Sequence, residues 1–129
     1  MYVYYFVHLS GRPDKWALRL ERDGERLREL ASEAMARMRT PSSDGIDALR
    51  FGASRPLGRG FSFPIAWSAP GLFASLDGEM VIQPIGSETT QLTLRGSYSP
   101  DHEGDNGESH RLVEAGIKGF LDSIPTHLA

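Results

Sequence analysis

Four imidazoles, an acidic loop, a basic turn and a group of aromatic side chains are the features of this sequence whose types and spacing could do chemistry. Histidine changes charge near neutral pH, so His8, His102, His110 and His127 are each candidate acids, bases or ligands. His8 falls in an extended apolar segment and could face a cavity, although a histidine so placed is more commonly a packed core or edge residue. His102 and His110 lie in or beside the acidic loop, and His127 stands near a chain end expected to fray. The loop Asp101-His-Glu-Gly-Asp-Asn-Gly-Glu108 spaces its carboxylates as a calcium loop does. Such a loop also needs glycine at its sixth position and glutamate at its twelfth, where this chain has Asn106 and Leu112. It therefore reads as a solvated run into a helix, and no metal site is expected.

The stretch Gly52-Ala-Ser-Arg-Pro-Leu-Gly-Arg-Gly60 holds neither a dinucleotide-binding nor a P-loop glycine pattern. Arg50, Arg55 and Arg59 make a small basic turn. A nucleic-acid binder needs a basic groove with stacking rings, and a chain of net charge -3 is not expected to be one. The aromatic residues are more informative. Phe61, Phe63, Trp67 and Tyr98 should project from a sheet toward the last helix with Phe120. They would either fill a plain core or line a ligand cavity, in which Trp67 and Tyr98 would each bring a polar handle.

These groups are carried by 129 residues, 40% hydrophobic and 24% charged, with 14 Lys+Arg against 17 Asp+Glu. That length and apolar fraction fit one folded domain, 1–129, with a core that needs no staples. With 0 Cys there is no disulfide, thiolate zinc site or iron–sulfur cluster to expect. No stretch approaches the roughly 20 apolar residues of a membrane span. The opening residues lack a basic leader and a small-residue cleavage site, so they read as a strand, and the expected compartment is the cytoplasm.

The elements that must position these side chains follow from periodicity. Residues 2–9 are β-branched and aromatic, with Val3, Tyr5, Val7 and Leu9 on one face and Tyr2, Tyr4, Phe6 and His8 on the other. Both faces are apolar, which predicts cover on both sides or an interface. Pro13 can open a helical stretch over about 14–39, divided at Gly24. Its apolar stripe is Leu27, Leu30, Ala31, Ala34, Met35 and Met38, and its Glu and Arg residues form a solvated face. Strands are predicted at 47–51, 61–67, 79–83 and 90–98, with a turn at 55–60. Pro64 marks an edge or bulge. Asp77-Gly78 is either a tight turn or a bulge inside a longer strand. A final helix covers about 108–123, ended by Pro125, with Val113, Ile117, Phe120, Leu121 and Ile124 inward. Gly116 and Gly119 in that helix suggest close packing against its backbone. The order predicts an α+β fold: a curved antiparallel sheet of about five strands wrapped around the C-terminal helix.

The run Phe63-Pro-Ile-Ala-Trp-Ser-Ala-Pro-Gly-Leu-Phe-Ala-Ser-Leu-Asp-Gly-Glu-Met-Val-Ile-Gln-Pro-Ile85 resembles the helix-grip superfamily. So do Leu92-Thr-Leu-Arg-Gly-Ser-Tyr-Ser-Pro100 and the helix Arg111-Leu-Val-Glu-Ala-Gly-Ile-Lys-Gly-Phe-Leu121. This is the START-like or Bet v 1-like group, also called SRPBCC. The chain is similar to its small actinobacterial members, often labelled polyketide cyclase-like. The resemblance spans about 46–124 and implies a sheet around the last helix with a hydrophobic cavity between them. The sheet departs from the usual seven strands, and the loop at 99–110 is acidic and glycine-rich where relatives often carry a Pro-Pro-Leu-Gly type turn. The superfamily includes carriers, receptors, cyclases and stress-response partners and has no shared catalytic motif, so the fold does not settle the function.

The leading expectation is a non-catalytic module for a small hydrophobic or amphipathic molecule, bound by Phe63, Trp67, Met80, Leu94, Tyr98, Ile117 and Phe120, without a cofactor. Arg95 is predicted to point outward. A second expectation is a cyclase or aromatase-like enzyme, for which only His8 and Tyr98 could supply the acid or base. A third is an interaction or stress-response domain with a filled core, in which the helix at 25–39 offers Met35 and Met38 to a partner or to a second copy in a homodimer.

Overall fold

The structure is a computed structural model that describes residues 1–38, 47–100 and 108–128. Strand β1 (Tyr2–Ser10) is followed by helices α1 (Pro13–Arg22) and α2 (Gly24–Ala36). Strands β2 (Ala48–Phe51), β3 (Arg55–Leu57), β4 (Gly60–Ala69), β5 (Phe73–Pro84) and β6 (Thr89–Pro100) come next, and helix α3 (Glu108–His127) closes the order. The sheet is antiparallel, in the order β1-β6-β5-β4-β2, with β3 paired to β4 beside β2.

Six strands form where about five were expected. The difference is β3. The segment read as a turn extends as Arg55-Pro-Leu57 and folds back on β4 through Gly58, whose φ of 60° suits glycine. Pro64 sits on β4 between the stretches paired with β2 and β3, where no ladder bond is demanded of it. Its carbonyl accepts from the Gly52 N–H at 2.8 Å.

Asp77-Gly78 is neither a turn nor a bulge; it lies inside one continuous β5. Gly78 pairs with Gly96 of β6. A Cβ on Gly78 would stand 2.1 Å from the Arg95 carbonyl oxygen, and one on Gly96 would stand 2.6 Å from the Asp77 carbonyl oxygen. The two glycines let the strand backbones close to a distance no side chain would allow, and local bending of a sheet uses such positions. Irregular register at Trp67/Ala69 and at Phe73/Ser75 adds further bends.

Helices α2 and α3 pack together on the covered side of this sheet. Alternation puts Phe63, Ile65 and Trp67 of β4 and Leu92, Leu94 and Tyr98 of β6 into the core with Ile117, Phe120 and Ile124 of α3. Gly116 faces the side chains of Met35 and Met38, and Gly119 approaches Ala34. Met35 is wholly buried and Met38 packs on the core, so this face of α2 is occupied by α3 and is not offered to a partner.

Helix α3 runs past the predicted stop. Pro125 lies within its last turn, and the Leu128 N–H still reaches the Ile124 carbonyl at 2.9 Å. Proline sacrifices one bond there, and buried Leu128 anchors the end against the core. The outer face of β1 has no cover from the described residues of the chain, which leaves the interface alternative. Tyr2, Tyr4 and Phe6 are exposed, and only the Val3–Leu9 face is covered. Among the described residues no helix is long and apolar enough to cross a membrane.

Candidate functional site

Two clefts meet along helix α2. The larger, about 700 Å³, opens at the junction of α1 and α2. Its apolar floor is built from Leu20, Leu27, Phe51, Phe63 and Met80, and its rim is charged by residues of both signs, including Glu21, Arg22, Arg26 and Arg28. The smaller, about 360 Å³, lies between α2 and β2, with Ala31, Leu49 and Trp67 in its wall. The larger volume falls within the range of small-molecule sites and the smaller lies near its lower end.

Arg28 stands between them and belongs to both walls. Its Nε donates to the Leu49 carbonyl at 2.9 Å, and its guanidinium lies 5.8 Å from the centre of the Phe51 ring. The side chain therefore straps α2 to β2 across the line where the clefts adjoin. Ser32, one turn further along α2, donates to the Asp47 carboxylate at 3.0 Å.

Trp67 is 2% exposed, packed edge-on against Phe73 and Phe120 at ring separations of 5.6 and 5.5 Å. Its indole Nε1 is buried without a hydrogen-bond partner among the described residues. Leaving such a donor unpaired costs about 1–3 kcal/mol. Trp16, the other tryptophan, is equally buried but donates to the Ser10 carbonyl at 2.8 Å.

The seven residues singled out from sequence are thus all buried but are not all in one place. Phe63 and Met80 floor the larger cleft and Trp67 walls the smaller. Leu94, Tyr98, Ile117 and Phe120 line neither of these two clefts and pack in the core.

Of the two candidate acid–base groups, His8 is exposed on the outer face of β1, stacked on Phe6, and does not face a cavity. Tyr98 is different. Its hydroxyl is hydrogen-bonded to Nδ1 of His110, and Nε2 of His110 contacts the Glu114 carboxylate, which also accepts from the Tyr5 hydroxyl. The two aromatic rings lie nearly parallel, 8° apart. The bond from Tyr5 and the electrostatic repulsion of a second negative charge by Glu114 hold the Tyr5 phenol above its ordinary pKa, with burial acting in the same direction. Sequence reading sets His110 beside the acidic loop and does not pair it with Glu114 or Tyr98. The i,i+4 spacing of His110 and Glu114 on one helix was the available signal, but it gains meaning only when β6 and β1 bring Tyr98 and Tyr5 to the same helix face.

On the outer face, Glu79 accepts from Ser62 at 2.7 Å and from Arg95 at 2.7 Å, and these bonds lower its pKa. Arg95 points outward, as its alternation predicts. The acidic loop considered for calcium, with His102, lies outside the described residues.

No protein-family model and no curated protein matches this chain. Solved structures do. The chain is similar to TTHA0849 from Thermus thermophilus at 12% identity, with a TM-score of 0.60 over 99% of this chain and 97% of that one. It is similar to a START superfamily protein from Mycobacterium smegmatis at 11% identity, with a TM-score of 0.54 over 98% and 96%. A looser likeness, with a TM-score of 0.46 at 12% identity over 99% and 93%, is to the Zhui aromatase/cyclase from Streptomyces. The end-to-end agreement with the first two, together with the six-stranded antiparallel sheet and its C-terminal helix, gives this chain the START-like fold, also called SRPBCC.

Proposed function

We propose that this chain binds a small amphipathic molecule in the clefts along α2, with an apolar body and one hydrogen-bond acceptor. The observation that carries this reading is the unpaired indole N–H of Trp67, buried in the wall of the smaller cleft. An acceptor on the ligand would satisfy that donor. An apolar body would cover Phe63 and Met80 on the floor of the larger cleft, and the charged rim at the α1–α2 junction would keep a polar end in water.

The test is native mass spectrometry of the protein as purified and after incubation with oleic acid or with a flat polycyclic phenol. A one-to-one adduct that Trp67→Phe retains less well supports the reading. Apo protein under every condition overturns it.

A second reading is cyclase-like acid–base chemistry, favoured by the contact of His110 with both the Tyr98 phenol and the Glu114 carboxylate. A base held by an orienting carboxylate is the arrangement that activates a hydroxyl. The larger cleft lies at the α1–α2 junction, where Arg26 meets His127 at the far end of α3. His110 and His127 are roughly 25 Å apart along the helix axis, and Tyr98 is only 4% exposed. Binding is therefore the leading reading. Loss of product from a poly-β-ketone thioester in His110→Asn, with turnover in the parent, would establish the second.

A further inference from the structure

We propose that β1 is a self-association edge, through which two copies of this chain pair antiparallel about a twofold axis at Phe6 to form one continuous sheet. β1 is the outer strand on its side of the sheet, paired with β6. The phase of its hydrogen bonds is fixed at both ends. Met1 and Tyr98 exchange bonds at 2.9 and 2.8 Å, and the Gly11 N–H reaches the Glu88 carbonyl at 2.8 Å. Bonding residues alternate along an antiparallel strand. The odd-numbered residues of β1 thus turn their backbone groups toward β6, and Tyr2, Tyr4, Phe6 and His8 turn theirs to the open edge, while the Ser10 carbonyl is taken by the Trp16 indole.

The same residues carry the exposed aromatic face. Tyr2 is 61% exposed and Tyr4 and Phe6 are each 50% exposed. Their rings form a connected row with His8, at centroid separations of 6.5 Å for Tyr4–Phe6 and 5.6 Å for Phe6–His8. Open edges are normally blunted by lysine, proline or a bulge. From Tyr2 to Ser10 there is no Lys, Arg, Asp, Glu or Pro, and the register with β6 is unbroken. The opposite side of the sheet is protected: β2 carries the exposed Arg50, and β3 is three residues long with Pro56 at its centre.

A second copy fits this edge better than an unrelated strand because the edge is self-complementary. Phe6 is the midpoint of the nine-residue strand and one of its outward-bonding residues. A twofold axis there pairs the strand from Tyr4 to His8, short of Ser10, whose carbonyl already accepts from Trp16. It sets Phe6 beside the second copy's Phe6 and Tyr4 beside the second copy's His8, aromatic pairs of the kind that stabilise sheets. No formally charged side chain on the strand meets its own image. The three exposed rings supply roughly 300 Å² per copy. Side-by-side pairing covers the flanks of these rings together with the strand backbone, a contact at the small end of specific interfaces.

The chain has 0 Cys, so single-cysteine variants report unambiguously. Sedimentation velocity up to about 100 µM should show a dimer for the parent and a monomer, or at least tenfold weaker association, for Phe6→Glu. Residue 6 is exposed, and an unchanged circular dichroism spectrum will show that the variant folds. Phe6→Cys should form a disulfide-linked dimer on mild oxidation, because directly bonded antiparallel partners lie within disulfide reach at about 5.5 Å between Cα atoms. A parent that stays monomeric overturns the proposal, as does a dimer that Phe6→Glu leaves intact. A monomer that binds an added peptide strand or lipid vesicles through β1 also overturns it and assigns the edge to that other occupant. These readouts are independent of ligand binding in the clefts.

Discussion

The sulfur of Met35 occupies the space that a side chain at position 116 would need: a Cβ built on Gly116 would stand 2.6 Å from Met35 Sδ. Three residues on, a Cβ on Gly119 would meet Ala34 Cβ at 3.9 Å, an ordinary contact. The two glycines share one helix and one neighbouring helix, and the same substitution should act in opposite directions. Gly119→Ala is expected to stabilise by about 0.5–1 kcal/mol through helix propensity alone. Gly116→Ala gains the same propensity but overpacks a wholly buried methionine, at a cost of about 1–3 kcal/mol, so it should be net destabilising. Urea unfolding of both variants checks the signs. In a Met35→Ala background, itself less stable, Gly116→Ala should cost less than it does in the parent, a coupling that a double-mutant cycle reads.

The ion pair on the outer face gives a pH prediction. Glu79 has a lowered pKa, first from the Ser62 hydroxyl and then from Arg95. A depressed carboxylate adds stability that is fully present above its unfolded value of about 4.5 and is lost as pH falls through the folded value. Arg95 is 42% exposed at its side chain, so solvent screening keeps the effect under about 1 kcal/mol. Glu79→Gln should therefore be less stable than the parent at neutral pH, and the difference should vanish once the carboxyl is protonated in both the folded and the unfolded chain. Thermal unfolding of both proteins across the acid range measures this. A difference that persists unchanged at low pH would assign the effect to packing.

Much of the frame was legible because it rests on short-range periodicity. The alternation of Leu92, Leu94 and Tyr98 placed β6, and the stripe from Val113 to Ile124 placed α3 with its inward face correct. Gly116 was read as a close approach, and Met35 makes that approach. The misread places share a different cause. Gly78 carries a turn signature locally, but its conformation is set by Gly96 on another strand, eighteen positions away. Pro125 carries a stop signature, but buried Leu128 holds the helix beyond it. The candidate site was legible only in part. Phe63, Trp67 and Met80 reach the clefts, while the charged rim of α2 has, in the sequence alone, only the pattern of a solvated face. Its second role depends on the backbone of β2, to which Arg28 bonds.

The carboxylate of Glu114 is shared between Tyr5 and His110. Tyr5 has a raised pKa, so the stability it contributes is complete below the unfolded value of about 10.0 and is lost as pH rises through the folded value. Tyr5→Phe should cost about 1 kcal/mol at neutral pH, with the charge-assisted bond discounted for exposure. That increment should hold to pH 10.0 and shrink above it. Glu114→Gln should bring the Tyr5 phenol back toward its ordinary range, read as an earlier rise of phenolate absorbance on alkaline titration. No change in that titration would show that the carboxylate does not set the phenol's acidity.

The two tryptophans offer a matched pair for the ligand site. Both are almost wholly buried, but Trp16 donates to the Ser10 carbonyl and Trp67 donates to nothing among the described residues. Trp16→Phe breaks a made bond and strands a carbonyl, so it should destabilise the free protein by about 1–3 kcal/mol. Trp67→Phe removes an unpaired donor, a gain that offsets the loss of ring volume, and should change the free protein by no more than about 1 kcal/mol. The order should reverse with ligand present. An acceptor that bonds the Trp67 indole should hold the parent about five- to tenfold more tightly than Trp67→Phe, the fold-change that one hydrogen bond of about 1 kcal/mol or slightly more confers. Trp16→Phe, away from both clefts, should keep its affinity. Thermal shifts of all three proteins with and without oleic acid separate the cases. Equal ligand shifts in the parent and Trp67→Phe would mean that the buried indole is a tolerated defect of the core and no part of a binding site.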